Sequence, residues 1–235
     1  MRARFVELAP EGFEEADGDD GVELAAYGEA AERVRSAFPE ARISEVEAGW
    51  EDRWREFHEP ARVGPLWIGP PWETAPADAL AVTIDPGRAF GTGAHPTTRL
   101  CLELLLDAPP GSVLDVGCGS GVLAIAAARL GFAPVTALDS DELAVDAARE
   151  NAAANGVSID VRLHDALEDA LPDADLVLIN IELAAVRALG PKLAAVHVIT
   201  AGYLAADKLE LPGYEPLRRL ECDGWAADLF GRRGS

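Results

Sequence analysis

The stretch of this chain that decides its fold is Val113-Leu114-Asp115-Val116-Gly117-Cys118-Gly119-Ser120-Gly121. It begins as an apolar strand and ends where a helix starts, with three glycines at the turn. Glycines at a strand-to-helix turn let the backbone approach a ligand closely. A dinucleotide-binding turn has the spacing G-x-G-x-x-G, whereas the third glycine here comes one position early, at Gly121. The motif therefore favours a ligand that lacks a pyrophosphate.

Strand and helix patterns alternate on both sides of this motif. The predicted elements are a helix near 96–106, strands at 112–116, 134–138, 159–163 and 176–179, and helices at 122–130 and 141–155. Such alternation indicates a parallel sheet that is covered on both faces. We therefore expect an α/β fold in this part of the chain.

Acidic residues accompany the glycines and indicate the chemistry of the ligand. Asp115 precedes them, and Asp139 ends the next strand, 22 residues after Gly117. A carboxylate at that place accepts hydrogen bonds from ribose hydroxyls. S-adenosylmethionine carries a ribose, an ammonium group and a positive sulfonium, and an acidic rim suits all three. We therefore predict this cofactor, in contact with Gly117, Gly119 and Asp139.

Ser140 and Asp165 are predicted as further cofactor contacts. Ser140 follows Asp139, although Ser140 or Asp141 would also cap the helix that comes next. Asp165 follows a later strand, at a place where an adenine amino group could be read. For Asp165 an ordinary turn or cap is an equally open interpretation.

Asn180 ends the apolar strand 175–180 and is the predicted catalytic residue. Ligands of open α/β sheets bind outside the carboxyl ends of the strands, so its side chain should face the site. Its carbonyl oxygen could accept an N–H of an incoming amine and orient the nitrogen lone pair. Methyltransferases that act on base amines usually continue with Pro-Pro-aromatic, whereas Ile181-Glu182-Leu183 follows here, which disfavours a nucleic-acid substrate.

A second cluster, Phe90-Gly91-Thr92-Gly93-Ala94-His95-Pro96-Thr97-Thr98, lies just before the first helix of this region. Surface loops that combine an aromatic ring, a histidine and several hydroxyls tend to be functional. We interpret it as a loop that covers the cofactor, with Phe90 and Thr98 in contact with it. The alternative is a capping loop with Thr97 or Thr98 at the helix start.

The preceding residues are divided into two segments. Residues 1–48 are predicted as a small N-terminal α+β lobe that serves substrate recognition, with strands near 5–8, 22–26 and 43–46 and a helix at 28–38. Residues 49–77 are predicted as a linker of one helix and short strands, because Trp50, Trp54 and Phe57 recur on one helical face. Residues 78–235 are then the catalytic domain.

Composition limits the partners. The chain has 235 residues, 41 acidic against 20 basic, and a formal charge of -21. Phosphates would be repelled, so a basic protein or a small molecule fits better than a nucleic acid. Three dispersed cysteines and four histidines predict neither disulfides nor a metal site. At the N-terminus Glu7 comes before any apolar stretch develops, which predicts no signal peptide. The lack of long apolar runs predicts no membrane span, and we expect a cytoplasmic location and, in the simplest case, a monomer.

Taken together, these residues resemble the PrmA family of bacterial methyltransferases, which modify a ribosomal protein of the large subunit. The likeness lies in residues 90–98, 115–125, 139–141, 151–157 and 180–181. It implies a Rossmann-like, class I methyltransferase sheet, S-adenosylmethionine as donor, and methylation of lysine and N-terminal amines. It also implies cofactor contacts at the positions of Thr98, Gly117, Asp139 and Asn180.

The departures from the family pattern fall on the substrate side. The N-terminal recognition domain is expected to be truncated, and Glu182 stands where an aliphatic residue is usual. Two alternatives therefore stay open. One is a methyltransferase for small-molecule amines or hydroxyls, and the other is an inactive paralogue that still binds the cofactor.

Overall fold

The structure is a computed structural model that describes residues 14–18, 21–25, 28–38, 60–85, 93 and 95–234. The chain divides into two compact units, Met1–Glu51 and Asp52–Ser235. The boundaries predicted after residues 48 and 77 stay a prediction.

The first unit contains a hairpin and a helix. Strands β1 (Glu14–Gly18) and β2 (Gly21–Ala25) pair antiparallel, and helix α1 (Gly28–Ala37) follows. The predicted strand near 22–26 and the helix at 28–38 are confirmed, whereas β1 was not expected because its sequence EEADG has no apolar alternation. The strands predicted near 5–8 and 43–46 and the aromatic helix at 49–60 lie outside the described residues, apart from Pro60.

The second unit opens with a small sheet that joins its core. Strands β3 (Ala61–Val63), β4 (Leu66–Gly69) and β5 (Leu80–Thr83) form it in the order β3-β4-β5. Leu66, Ile68 and Val82 are fully buried and share one apolar cluster with the helices that follow. Residues 61–77, expected as linker, thus contribute side chains to the core of the same unit as the large sheet.

The large sheet has seven strands. In chain order they are β6 (Val113–Val116), β7 (Val135–Asp139), β8 (Asp160–Leu163), β9 (Leu176–Asn180), β10 (His197–Leu204), β11 (Tyr214–Cys222) and β12 (Trp225–Arg232). Their order across the sheet is β11-β12-β10-β9-β6-β7-β8. Strand β12 is antiparallel to both of its neighbours, and the strands from β10 to β8 pair in parallel.

Both faces of this sheet are covered, as expected for the predicted α/β fold. Successive residues of β9 alternate between two apolar clusters: Leu176 and Leu178 point into one, Val177 and Ile179 into the other. Helices α2 (Pro96–Leu106), α3 (Val122–Arg129) and α4 (Glu142–Ala154) pack into the first cluster, and α5 (Leu183–Leu189) into the second. Within the described part of the chain, no helix combines the length and apolar character that crossing a membrane requires.

Candidate functional site

A cavity of about 660 Å³ lies at the carboxyl ends of the central strands. Every predicted cofactor residue that the structure describes lines it: Thr98, Gly117, Gly119, Asp139, Ser140, Asp165 and Asn180. Phe90 lies outside the described residues. The meeting of residues from four strand ends and a helix start follows from the parallel sheet, whose carboxyl ends share one edge. The role of each residue stays a prediction.

The glycine loop requires glycine for its backbone and for its packing. Gly117, Gly119 and Gly121 have φ angles of 72°, 53° and 81°, a region that other residues rarely adopt. A Cβ on Gly117 would lie 2.5 Å from Cγ2 of Ile181. The Gly117 and Cys118 N–H groups donate to the Leu138 carbonyl at 2.8 and 3.0 Å. The loop therefore presents bare backbone to the cavity from a fixed position.

Asp115 anchors the helix that follows the loop. Its carboxylate is buried and accepts a hydrogen bond from the Ala124 N–H at 3.1 Å. Because the N-cap residue of α3 is Gly121, which has no side chain, Asp115 supplies the cap from the preceding strand. Burial raises the pKa of Asp115 to about 7, although the hydrogen bond from Ala124 acts in the opposite direction and lowers it. This capping role was not predicted.

Asp139 ties the glycine loop to the next strand. Its Oδ2 accepts from the Gly119 N–H at 2.9 Å, and its Oδ1 accepts from the Asp141 N–H at 3.0 Å. A carboxylate oxygen has two lone pairs, so both oxygens keep capacity for a ligand. The helix cap proposed for Ser140 or Asp141 falls on Asp141, which accepts from the Leu143 N–H at 2.9 Å.

Asn180 meets Thr98 at the opposite side of the cavity. The Asn180 amide Nδ2 donates to the buried Thr98 hydroxyl at 3.4 Å. In this orientation the amide oxygen makes no hydrogen bond to the described residues, and Asn180 is one of the residues that line the cavity. The amide is thus held by its donor end, while its acceptor end is available to an N–H group.

The loop before α2 caps that helix and also borders the cavity. His95 is the N-cap residue, and its Nδ1 accepts from the Thr97 N–H at 3.3 Å. Its ring meets Trp225 edge to face, with ring centroids 4.9 Å apart. His95, Thr97 and Trp225 all line the cavity. His95 and Thr97 belong to the loop that was predicted to cover the cofactor, whereas Trp225 was not expected in the site. This end of the loop therefore caps the helix, as the alternative interpretation proposed, but the capping residue is His95 and not Thr97 or Thr98.

Gly202 and Glu182 lie next to Asn180 in the cavity wall. Gly202 has a φ of 97° at a bulge in β10, and a Cβ there would collide with the Ile181 carbonyl oxygen. Glu182 is exposed, precedes α5 and makes no cap hydrogen bond. The backbone after Asn180 is therefore packed tightly against β10. The Glu182 carboxylate lies next to this backbone segment.

Asp165 and His164 follow the edge strand β8. Asp165 is exposed, and its Oδ1 accepts from the Leu167 and Glu168 N–H groups at 2.9 and 3.3 Å, so it caps a turn. Contact with an adenine amino group stays a prediction for this residue. The His164 N–H donates to the Asp139 carbonyl at 2.7 Å. Its Nε2 is buried without a hydrogen-bond partner among the described residues.

The sheet and the cavity together define a class of protein. A seven-stranded sheet with one antiparallel strand, a glycine loop after the central strand β6 and a polar residue ending β9 form the class I methyltransferase fold, as the sequence predicted. The ribosomal protein L11 methylase of Lactobacillus delbrueckii subsp. bulgaricus has a similar structure, with a TM-score of 0.64 and 33% identity. That match covers 72% of this chain and 95% of the methylase chain.

Sequence comparison identifies the family. The model of the family described as Ribosomal protein L11 methyltransferase (PrmA) matches residues 18–207, and the chain belongs to this family. A protein of that name from Symbiobacterium thermophilum is 43% identical over 199 residues, covering 78% of this chain and 66% of the relative. One from Chromobacterium violaceum is 44% identical over 194 residues, covering 81% and 63%. The chain thus spans slightly less than two thirds of the length of these two relatives.

Proposed function

We propose that the protein is an S-adenosylmethionine-dependent methyltransferase that modifies lysine or N-terminal amines of a large-subunit ribosomal protein, L11 by the names of its relatives. The observation that carries the proposal is one cavity in which the glycine loop and Asp139 face the Asn180 amide. A cytoplasmic location, a monomeric state and the absence of direct nucleic-acid binding stay predictions.

The residues of the cavity fit this cofactor. Five carboxylate residues line it, namely Asp115, Asp139, Asp141, Asp165 and Glu182, and none of its described lining residues is a lysine or arginine. Such a wall suits an ammonium and a sulfonium and repels phosphates. Asp139 would hold the ribose hydroxyls. The backbone at Gly117 and Gly119, whose φ angles favour glycine, would lie against the ligand.

The chain's own residues would align the acceptor and keep water out. When bound, S-adenosylmethionine supplies an electrophilic methyl group on its sulfonium. Asn180, fixed by Thr98, offers its amide oxygen to an N–H of the neutral amine and so directs the nitrogen lone pair. A lysine amine has an ordinary pKa of about 10.4. Desolvation in the bound complex would lower that value, whereas the carboxylates of the cavity wall act in the opposite direction. Alignment and desolvation therefore carry the catalysis.

The acceptor is proposed from charge and from the family. The chain has a formal charge of -21, and Glu182 adds an exposed carboxylate at the cavity beside Asn180. Both features attract a basic protein and a protonated lysine toward the site. The family is named for methylation of ribosomal protein L11.

The test is transfer of labelled methyl groups from S-adenosylmethionine to purified ribosomal protein L11. Asn180→Ala should lower turnover about a hundredfold while the Kd for S-adenosylhomocysteine changes less than threefold. Asn180→Asp should recover activity as pH rises, because a carboxylate favours the protonated amine. No label on L11 from the parent would refute the acceptor. Label on a small molecule, or tight binding without turnover, would support the two alternatives.

A further inference from the structure

One buried polar atom in the cavity wall has no hydrogen-bond partner among the described residues. His164 follows β8 and lines the cavity, and among the described residues its Nε2 is the buried side-chain nitrogen or oxygen that lacks a hydrogen bond. Leaving such a group unpaired destabilises a folded protein, so each case requires an explanation. An atom that gains its partner only when a ligand binds is one such explanation.

The position of His164 indicates which part of the ligand it would meet. Its backbone N–H donates to the Asp139 carbonyl, so it neighbours the carboxylate proposed to hold the ribose. Asn180, on β9, lies three strands away from β8 across the sheet, which corresponds to about 14 Å at 4.8 Å per strand. With the ribose at β7 and the reacting sulfur directed toward β9, the adenine side of the ligand falls at β8.

We propose that His164 Nε2 hydrogen-bonds the nucleoside of the methyl donor; this rests on the proposed function. A neutral imidazole donates or accepts through Nε2 according to its tautomer. It therefore suits the ring nitrogens of adenine and the hydroxyls of ribose equally. Its unpaired state without ligand lowers the stability of the protein, and the ligand restores that loss on binding.

The experiment compares three variants and two ligands. His164→Phe removes the nitrogen and keeps a ring, whereas His164→Gln keeps a polar group near the Nε2 position. His197→Phe is the matched control, because His197 begins β10 at the opposite end of the strands and does not line the cavity. The ligands are S-adenosylhomocysteine and 5′-methylthioadenosine, which has the nucleoside but no amino-acid end. Calorimetry gives each Kd, and thermal unfolding gives the Tm of the ligand-free proteins.

His164→Phe should raise the Kd of both ligands about five- to tenfold, the loss of one hydrogen bond, while His164→Gln and His197→Phe stay within threefold of the parent. The Tm of ligand-free His164→Phe should rise by about 2–4 °C, because an unpaired buried nitrogen is gone. Opposite changes in affinity and stability distinguish this role from a packing role, which would lower both.

Several results would overturn the proposal. An unchanged Kd in His164→Phe means that Nε2 meets only water, and a loss confined to S-adenosylhomocysteine places it at the amino-acid end. Equal losses in the Phe and Gln variants mean that a polar group at this position does not restore binding. A lower Tm in His164→Phe means that the histidine stabilises the ligand-free protein. If the parent binds neither ligand, the proposed function itself fails.

Discussion

Replacing Asp115 by asparagine should make the stability of the protein less dependent on pH. Asp115 is buried, and burial raises its pKa from an ordinary 3.8 to about 7. Its carboxyl oxygen accepts from the Ala124 N–H. Asparagine has nearly the same shape, keeps an oxygen for that hydrogen bond and never ionises, so the substitution isolates the charge.

The sign follows from proton binding. Between pH 4 and 7 the folded chain keeps a proton on Asp115 that the unfolded chain has lost, so the free energy of unfolding falls as pH rises through this window. Above pH 7 both states are ionised and the fall stops. With pKa values of 3.8 and about 7, the parent should lose about 2.6 kcal/mol from this group between pH 5 and 8. The variant should lose none of it.

The assay is urea unfolding of both proteins at pH 5, 6, 7 and 8, with the difference between them taken at each pH. Taking the difference cancels every other titrating group that the two chains share. We expect the free energy of unfolding of Asp115→Asn to increase steadily relative to that of the parent up to pH 7. The control Asp173→Asn removes an exposed carboxylate, and its curve should run parallel to that of the parent. Parallel curves for Asp115→Asn and the parent would refute the reasoning, since they would mean that Asp115 titrates alike when folded and unfolded.

Three further variants probe other parts of the cavity. Asp139→Ala should weaken S-adenosylhomocysteine binding by about 1.5–3 kcal/mol in calorimetry. Asp141→Ala removes a carboxylate of the cavity wall that has no proposed hydrogen bond to the ligand; it should change the Kd less than threefold and lower stability by about 1 kcal/mol, the loss of a helix cap. Equal Kd values for both would show that Asp139 only holds the loop. Gly202→Ala places a Cβ against the Ile181 carbonyl. It should lower stability by about 1–3 kcal/mol, and it should also lower turnover. Normal turnover would show that the backbone there tolerates displacement. Glu182→Gln should raise KM for a basic acceptor up to fivefold at low salt and not at high salt; an increase that salt leaves unchanged would mean that charge is not its cause.

Much of the fold was predictable because its central strands are buried on both faces. Strands such as β6 and β9 are continuous apolar runs between turn signals, which identifies them without an alignment. Strand β11 escaped prediction because it lies at the sheet edge and has the sequence YEPLRRLEC, mostly exposed or half-buried. Helix α5 has seven residues, too few for a clear helical period.

The candidate site was predictable where it consists of strand ends. Gly117, Asp139 and Asn180 each end or follow a strand, and a parallel sheet brings such positions to one edge. Trp225 and His95 come together across 130 positions of sequence, a contact that only tertiary packing creates. The Gly224-Trp225 pair indicates the turn between β11 and β12. Its local sequence does not indicate that the Trp225 ring reaches the cavity.

The strand order explains how donor binding and acceptor chemistry can be separated. The order reverses between β6 and β9, which opens a crevice at that point, with Asp139 on one side and Asn180 on the other. Strands β7 and β9 are two positions apart, about 10 Å, and substitutions at that distance are usually additive when the two side chains act on different parts of the ligand. Asp139→Ala should therefore lower donor affinity, Asn180→Ala should lower turnover at saturating donor, and the double variant should show both losses, additive within about 0.5 kcal/mol. A larger interaction energy in this cycle would mean that the two side chains act on the same step, and the division of the cavity into a donor half and an acceptor half would fail.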